Sequence, residues 1–133
     1  MNNLTNFFKL VSDETRLRLL MILSEKELCV CELCHILILS QPKVSRHLAR
    51  LRDMGLVQTK RKGQWIFYDL KLEDPLIRDI IKLIKDNMVK YDLLREDWDR
   101  LNALVQDNKL CERVETTASV EKSMEIRDTE LEG

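Results

Sequence analysis

The period of the hydrophobic pattern changes at Gly55, and this change constrains the fold more than any other feature of the sequence. Before Gly55, apolar side chains recur every three or four residues, as in amphipathic helices, over residues 3–10, 12–21, 30–37 and 42–54. After it, two runs rich in β-branched and aromatic residues, 56–60 and 65–70, flank a turn that contains glycine, which is typical of a β-hairpin. The pattern predicts a mainly α fold with a small β-hairpin.

Local signals indicate where these helices begin and end. Ser12 or Asp13 is a good N-cap for the second helix, and Pro42 falls in the first turn of the fourth, where proline is tolerated. Gly55 can end the fourth helix, because glycine readily adopts the left-handed backbone conformation. Helices followed by a two-stranded hairpin are the order of a winged helix-turn-helix, in which one helix enters the major groove of DNA and the hairpin lies along the backbone.

Residues 75–107 carry apolar side chains on a heptad frame and predict one long C-terminal helix. A helix of about 30 residues would be roughly 45 Å long. Since so small a core cannot cover that length, we expect part of the apolar stripe to meet a second subunit or a returning segment of the chain. Packing on the same subunit and a break near Glu96 and Asp97 are the alternatives. The seam consists of Ile77, Ile80, Ile84, Asn87, Tyr91, Leu94, Trp98, Leu101 and Val105.

Charge divides the chain into two parts, although its net charge is only −1. Residues 1–111 carry 19 basic and 16 acidic side chains, whereas residues 112–133 carry 3 and 7. We therefore predict one domain over residues 1–110 and an acidic, disordered tail over residues 111–133. The longest apolar run, residues 36–39, is far shorter than the roughly 20 residues of a membrane span. We expect a cytoplasmic protein.

The most basic segment, residues 41–64, contains seven cations and a single acid, Asp53. On the fourth helix, Val44, Leu48 and Leu51 share one face, and the cations share another. The first face can pack while the second contacts the bases and phosphates of double-stranded DNA. An ordinary solvated helix is the alternative, but such a helix usually mixes charges of both signs. The predicted DNA contacts are Gln41, Lys43, Ser45, Arg46, His47, Arg50, Lys60, Arg61 and Lys62.

Three of the four cysteines, Cys29, Cys31 and Cys34, lie within six residues at the start of the third helix. Reducing compartments keep thiols free, which favours metal or redox chemistry over structural disulfides. Three thiolates without a carboxylate cage suit a pyramidal ion such as As(III) or Sb(III) better than tetrahedral zinc. On a regular helix, Cys29 and Cys31 would point about 200° apart. Binding to all three sulfurs is therefore expected to distort the first turn and to shift the fourth helix.

Other interpretations of these cysteines stay open. They could be small buried apolar side chains, a redox switch built on Cys31 and Cys34, or a site for cadmium, lead or zinc. His35 and Cys111 are possible but less favoured fourth ligands. A thiol enzyme such as a small arsenate reductase is disfavoured, because no phosphate-binding loop or catalytic base accompanies the cysteines. We expect no enzymatic activity and no organic cofactor.

The chain resembles the ArsR/SmtB family, and its arsenic-responsive repressors in particular. The resemblance extends over roughly residues 6–70 and is carried by four segments. They are residues 27–34 (ELCVCELC), 40–48 (SQPKVSRHL), 55–57 (GLV) and 61–68 (RKGQWIFY). The chain lacks both the N-terminal cysteines of the family's cadmium and lead sensors and the histidine of its zinc sensors on the last helix, which favours arsenic.

The resemblance implies a repressor of arsenical efflux or reduction operons that releases its operator when As(III) or Sb(III) binds. It implies that Cys29, Cys31 and Cys34 are the ligands and that residues 45–47 lie in the DNA-reading helix. It also implies a homodimer joined through the first and last helices. The residues that we assign to this dimer contact are Leu4, Phe7, Phe8, Ile77, Ile80, Ile84 and Tyr91.

Overall fold

The computed structural model describes the backbone of residues 2–106 and the side chains of residues 4–106. The predicted tail over residues 111–133 and Cys111 lie outside the described residues, so the domain boundary at residue 110 stays a prediction. The described chain forms helices α1 to α6, strands β1 to β3 and one 3-10 turn. Their bounds are α1 Asn2–Val11, α2 Glu14–Leu23, β1 Leu28–Cys29, α3 Val30–Leu37, α4 Gln41–Asp53, β2 Val57–Lys62, β3 Trp65–Leu70, α5 Pro75–Asn87, the 3-10 turn Met88–Lys90 and α6 Asp92–Gln106.

Side-chain caps explain where three of the helices begin. Asp13, Ser40 and Asp74 precede α2, α4 and α5, and each accepts a hydrogen bond from a backbone N–H two or three residues later. These bonds satisfy N–H groups that have no partner within the helix. Gly55, just beyond α4, has a φ of +78°, a conformation that favours glycine. The predicted start of α2 and end of α4 are confirmed.

The hydrophobic core is centred on α2. Residues 19–23 of α2 are at most 2% exposed, and α1, α4, α5 and α6 all contact this helix. On α4, Val44, Leu48 and Leu51 are fully buried, as the sequence pattern predicted. The apolar face of α4 is therefore fixed to the same core that supports the cysteine-bearing helix α3.

The β-structure has one strand more than the sequence predicted. β2 and β3 form the expected antiparallel hairpin, and β1 pairs antiparallel with the other edge of β3, so that the strand order is β1-β3-β2. β1 contains only Leu28 and Cys29 and is too short for a period of two to be recognised in the sequence. The predicted architecture, a mainly α winged helix-turn-helix with a small β part, is confirmed.

The prediction of one long C-terminal helix is wrong. The 3-10 turn at Met88–Lys90 separates α5 from α6, and the break is not at Glu96 and Asp97. Met88 is 3% exposed, and α6 folds back against α2 and α3, burying Leu94, Leu101 and Leu104 in the same subunit. The heptad seam thus consists of two apolar stripes, one on α5 and one on α6. The stripe on α6 packs against the domain of its own subunit. None of the described helices is long and apolar enough to cross a membrane.

Candidate thiol site and nucleic-acid interface

Cys29 and Cys31 bring their sulfurs together without distorting a helix. Cys29 ends β1 and is the N-cap of α3, with an extended backbone (φ −89°, ψ 171°). Its Sγ lies 3.4 Å from the Sγ of Cys31. Two thiolates bound to one ion at about 2.3 Å in tetrahedral geometry lie roughly 3.7 Å apart, so this separation suits ligands of one ion. The prediction that these residues point about 200° apart is wrong, because Cys29 precedes the helix.

The segment that carries Cys29 is fixed on both sides. The backbone N–H of Cys29 donates a 2.9 Å hydrogen bond to Oε1 of Glu32, whose side chain is buried on the first turn of α3. Cys29 also pairs with Phe67 of β3 in the sheet. These two contacts link the candidate thiol site both to the start of α3 and to the hairpin.

Cys34 has not joined the other two sulfurs. It lies one turn further along α3 and is half-buried, and this burial raises the pKa of its thiol. The thiol is therefore protonated at neutral pH. Within residues 4–106, no three side chains of histidine, cysteine, aspartate or glutamate converge as a metal site. His35 is exposed. The described structure has two sulfurs close together, but Cys31 is held in a disulfide, contrary to the expectation of free thiols. Capture of an ion by three sulfurs would therefore require reduction of Cys31 and approach of Cys34.

The candidate DNA-reading surface lies on the outward side of α4. Gln41, Arg46 and Arg50 are exposed, and Lys43 and Ser45 are half-buried. Two arginines and a lysine on one helix can contact phosphates or guanine edges. The exposure of these side chains agrees with the interface, which stays a prediction.

His47 faces α2 and not the exposed cations of α4. Only 12% of its side chain is exposed, and its Nδ1 lies 3.3 Å from Nη1 of Arg16 and 3.7 Å from Oδ2 of Asp13. Desolvation lowers the pKa of His47, and Arg16 adds to this effect although Asp13 opposes it. Since Arg16 can donate to a neutral Nδ1, His47 links α4 to the start of α2.

We expect protonation of His47 to destabilise the folded state. Its pKa is lowered on folding, so the unfolded state binds the proton more tightly. The stabilisation is present above the unfolded pKa of about 6.5 and is lost as the pH falls through the folded pKa. The free energy of unfolding of the wild type, measured in urea, should fall more between neutral and mildly acidic pH than that of His47→Gln. Equal pH dependence of the two proteins would contradict this assignment.

The hairpin tip carries the other predicted DNA contacts, Lys60, Arg61 and Lys62, and all three are exposed. The tip closes through a turn at Gly63, whose φ is +64°. The lysines already contact carboxylates. Hydrogen bonding to Asp69 raises the pKa of Lys60, and Nζ of Lys62 forms an ion pair with Glu27. Sequence reasoning missed Glu27, because only recognition of β1 as a strand would have brought it beside the hairpin.

The residues assigned to dimerisation differ in their accessibility. Phe8 and Tyr91 are 51% and 59% exposed, but Phe7 and Ile77 are buried in the core of their own subunit. The remaining residues, Leu4, Ile80 and Ile84, are half-buried. Sequence periodicity did not separate the side of each helix that faces the core from the side that faces outward. The dimer contact itself stays a prediction.

Comparison with known proteins identifies the family. Residues 13–59 match the model described as bacterial regulatory protein, arsR family. The chain is 58% identical over 69 residues to the arsenic resistance transcriptional regulator ArsR1 of Pseudomonas putida, covering 51% of this chain and 54% of that protein. It is 52% identical over 69 residues to the arsenical resistance operon repressor of Escherichia coli, covering 51% of this chain and 59% of that protein. The chain thus spans little more than half the length of these relatives.

Solved structures agree with this result. The structure of reduced HlyU from Vibrio cholerae matches with a TM-score of 0.57 and 37% sequence identity, covering 62% of this chain and 85% of that one. The matched proteins are regulators of transcription and not enzymes, which confirms the prediction that this chain is not an enzyme. The chain belongs to the arsR family of bacterial regulatory proteins.

Proposed function

We propose that this chain is a cytoplasmic repressor that binds operator DNA as a homodimer and releases it when As(III) or Sb(III) binds Cys29, Cys31 and Cys34. The observation that carries this proposal is the 3.4 Å contact between the sulfurs of Cys29 and Cys31 at the start of α3. Relatives named for arsenic resistance support a metal or metalloid as the inducer. The ligand set and the choice of ion are the specific parts of the proposal.

The donor set favours a soft, three-coordinate ion. Thiolate sulfurs prefer thiophilic ions, and a structural zinc site would usually have four ligands. Glu32 lies close by in sequence, but its Oε1 accepts a hydrogen bond from the backbone of Cys29. With three sulfurs and no assigned fourth ligand, a pyramidal trivalent centre matches the site better than a tetrahedral dication.

The packing of α3 on α4 offers a route from the ion to DNA. Leu33 and Ile36 of α3 and Leu48 of α4 are fully buried, and the two helices contact each other. Because packed cores resist gradual deformation, drawing Cys34 towards the other sulfurs would displace α3 against α4. A coupling of about 1–3 kcal/mol, or roughly 5- to 150-fold in DNA affinity, is typical of such a response.

The decisive experiment measures DNA binding with and without arsenite. The probe is a duplex selected by this protein from a random-sequence pool, and the buffer contains a phosphine reductant, which leaves arsenite free of competing thiols. We expect saturating arsenite to reduce DNA affinity at least fivefold. Without arsenite, log affinity should fall with log salt by about 0.9 for each phosphate that the protein neutralises. DNA binding that persists unchanged under saturating arsenite would reject the proposal.

A thiol redox switch is a second candidate, and the same sulfur contact favours it. Once Cys31 is reduced from the disulfide in which it is held, the two thiols, whose sulfurs lie 3.4 Å apart, need to approach by only about 1.4 Å to reach the 2.05 Å of a disulfide bond. A peroxide would oxidise them to the disulfide and be reduced to water. In that case peroxide, and not arsenite, should change DNA affinity, and a dithiol reductant should restore it.

A further inference from the structure

One row of the sheet joins the candidate thiol site to the tip of the hairpin. Cys29 of β1 pairs with Phe67 of β3, and Phe67 pairs with Lys60 of β2. The row beside it joins Leu28 to Tyr68 and Tyr68 to Thr59. A proposed ion ligand and a cation of the predicted DNA interface therefore lie on the two outer strands of one three-stranded sheet, with Phe67 of β3 between them. This path is separate from the packing of α3 on α4.

Glu27, which immediately precedes β1, contacts both lysines of the hairpin. Its Oε2 forms an ion pair with Nζ of Lys62, and its Oε1 lies 3.7 Å from Nζ of Lys60. Asp69 lies 3.2 Å from Nζ of Lys60, and Nζ of Lys62 also lies 5.3 Å from the ring centre of Phe67. The lysines are thus oriented towards the segment that carries Cys29.

The position of Glu27 makes it a competitor of DNA. Its side chain is only 22% exposed, whereas those of Lys60 and Lys62 are 47% and 56% exposed. The carboxylate is therefore the less mobile partner, and the lysines can turn from it to a phosphate. Each lysine that does so exchanges one anion for another. The more strongly Glu27 pairs with the two lysines, the weaker are the contacts of the hairpin with DNA phosphates.

We propose that Glu27 is a positioning residue that couples the thiol site to the hairpin: it withholds Lys60 and Lys62 from DNA phosphates, and ion capture at Cys29 strengthens this hold. The inference rests on the proposed function. Glu27 immediately precedes β1 and is two residues from Cys29. A shift of Cys29 towards Cys34 as the third sulfur binds would therefore move the Glu27 carboxylate relative to the lysines. The ion then acts on DNA affinity by two routes, through α4 and through the hairpin.

The test replaces Glu27→Gln, which removes the charge but preserves the shape. Glu25→Gln is the matched control, because it makes the same charge change two residues away, where Glu25 pairs with Lys85 of α5 at 2.8 Å. For both variants and the wild type, DNA affinity is measured at several salt concentrations, with and without saturating arsenite. Arsenite binding is measured separately by thiolate absorbance.

Glu27→Gln should bind DNA more tightly without arsenite, by roughly two- to fivefold per subunit, in keeping with the strength of exposed ion pairs. Its salt dependence should be steeper, by up to about 0.9 for each lysine freed to contact a phosphate. Arsenite should still bind, but it should release less DNA than from the wild type or Glu25→Gln. A merely structural role of Glu27 would not steepen the salt dependence.

A double-mutant cycle of Glu27 and Lys62 gives a second measurement of the same ion pair. Lys62→Gln should lose more DNA affinity in the Glu27→Gln background than in the wild type, because the lysine contacts phosphate more fully once Glu27 is neutral. Additive effects, or identical salt dependence and arsenite release in Glu27→Gln and Glu25→Gln, would overturn the inference. If the wild type itself keeps its DNA under arsenite, the proposed function fails, while the salt dependence and the cycle still decide whether Glu27 withholds the lysines.

Discussion

Asp97→Asn is expected to lower the free energy of unfolding by about 3–5 kcal/mol, the largest effect on stability that we predict. Asp97 is fully buried on α6 and accepts two hydrogen bonds from Arg18 and one from Arg100, each of 2.8 Å. Arg18 is itself only 6% exposed. Removing the carboxylate charge leaves a guanidinium buried without a counter-ion, which is far more costly than losing a surface ion pair.

Urea denaturation at a fixed protein concentration measures this effect, since any dimerisation makes apparent stability depend on concentration. Asp99→Asn is the matched control, because Asp99 lies on the same helix but is exposed. Its free energy of unfolding should change by no more than about 0.5 kcal/mol. A loss below about 1 kcal/mol in Asp97→Asn would show that the buried charges are compensated elsewhere.

Cys34→Ser is expected to remove most of the response to arsenite. The remaining Cys29 and Cys31 can bind an ion through two sulfurs. Because no third sulfur is drawn in from the next turn of α3, ion binding does not displace the helix. The release of DNA should fall from the expected 5- to 150-fold range to less than about threefold. DNA affinity without arsenite should stay within about twofold of the wild type, because Cys34 is half-buried against the hydrophobic core.

Mobility-shift titrations with and without arsenite measure this difference. Cys111→Ser is the control, since it removes a cysteine without changing the proposed triad and should respond as the wild type does. A full response in Cys34→Ser together with a lost response in Cys111→Ser would contradict the proposed ligand set and assign the third sulfur to Cys111.

Local signals made the first four helices and the hairpin predictable. Asp13, Pro42 and Gly55 act within a few residues of themselves, so their effects can be recognised without knowledge of the fold. The buried face of α4, formed by Val44, Leu48 and Leu51, was predictable for the same reason. The spacing of apolar residues along the sequence shows which face of a helix is buried.

The remaining features depend on contacts between distant parts of the chain. Asp97 looked like a polar interruption of a helix, and its burial follows from Arg18, 79 residues away in sequence. The turn at Met88–Lys90 was hidden because two separate apolar stripes happened to continue one heptad frame. The error at Cys29 had a similar origin: β1 exists only because β3 provides a partner strand, and without it Cys29 would be read as part of the helix.

The separation of Cys34 from the other two sulfurs has a thermodynamic consequence for any ion that binds all three. Free energy must be used to rearrange α3 before the third bond can form, so the apparent affinity for the ion is lower than that of a rigid, ready-made trithiolate. By reciprocity, DNA that stabilises the unrearranged helix weakens ion binding by the same factor by which the ion weakens DNA binding. A chain with its three sulfurs already clustered would be the better chelator and the poorer sensor.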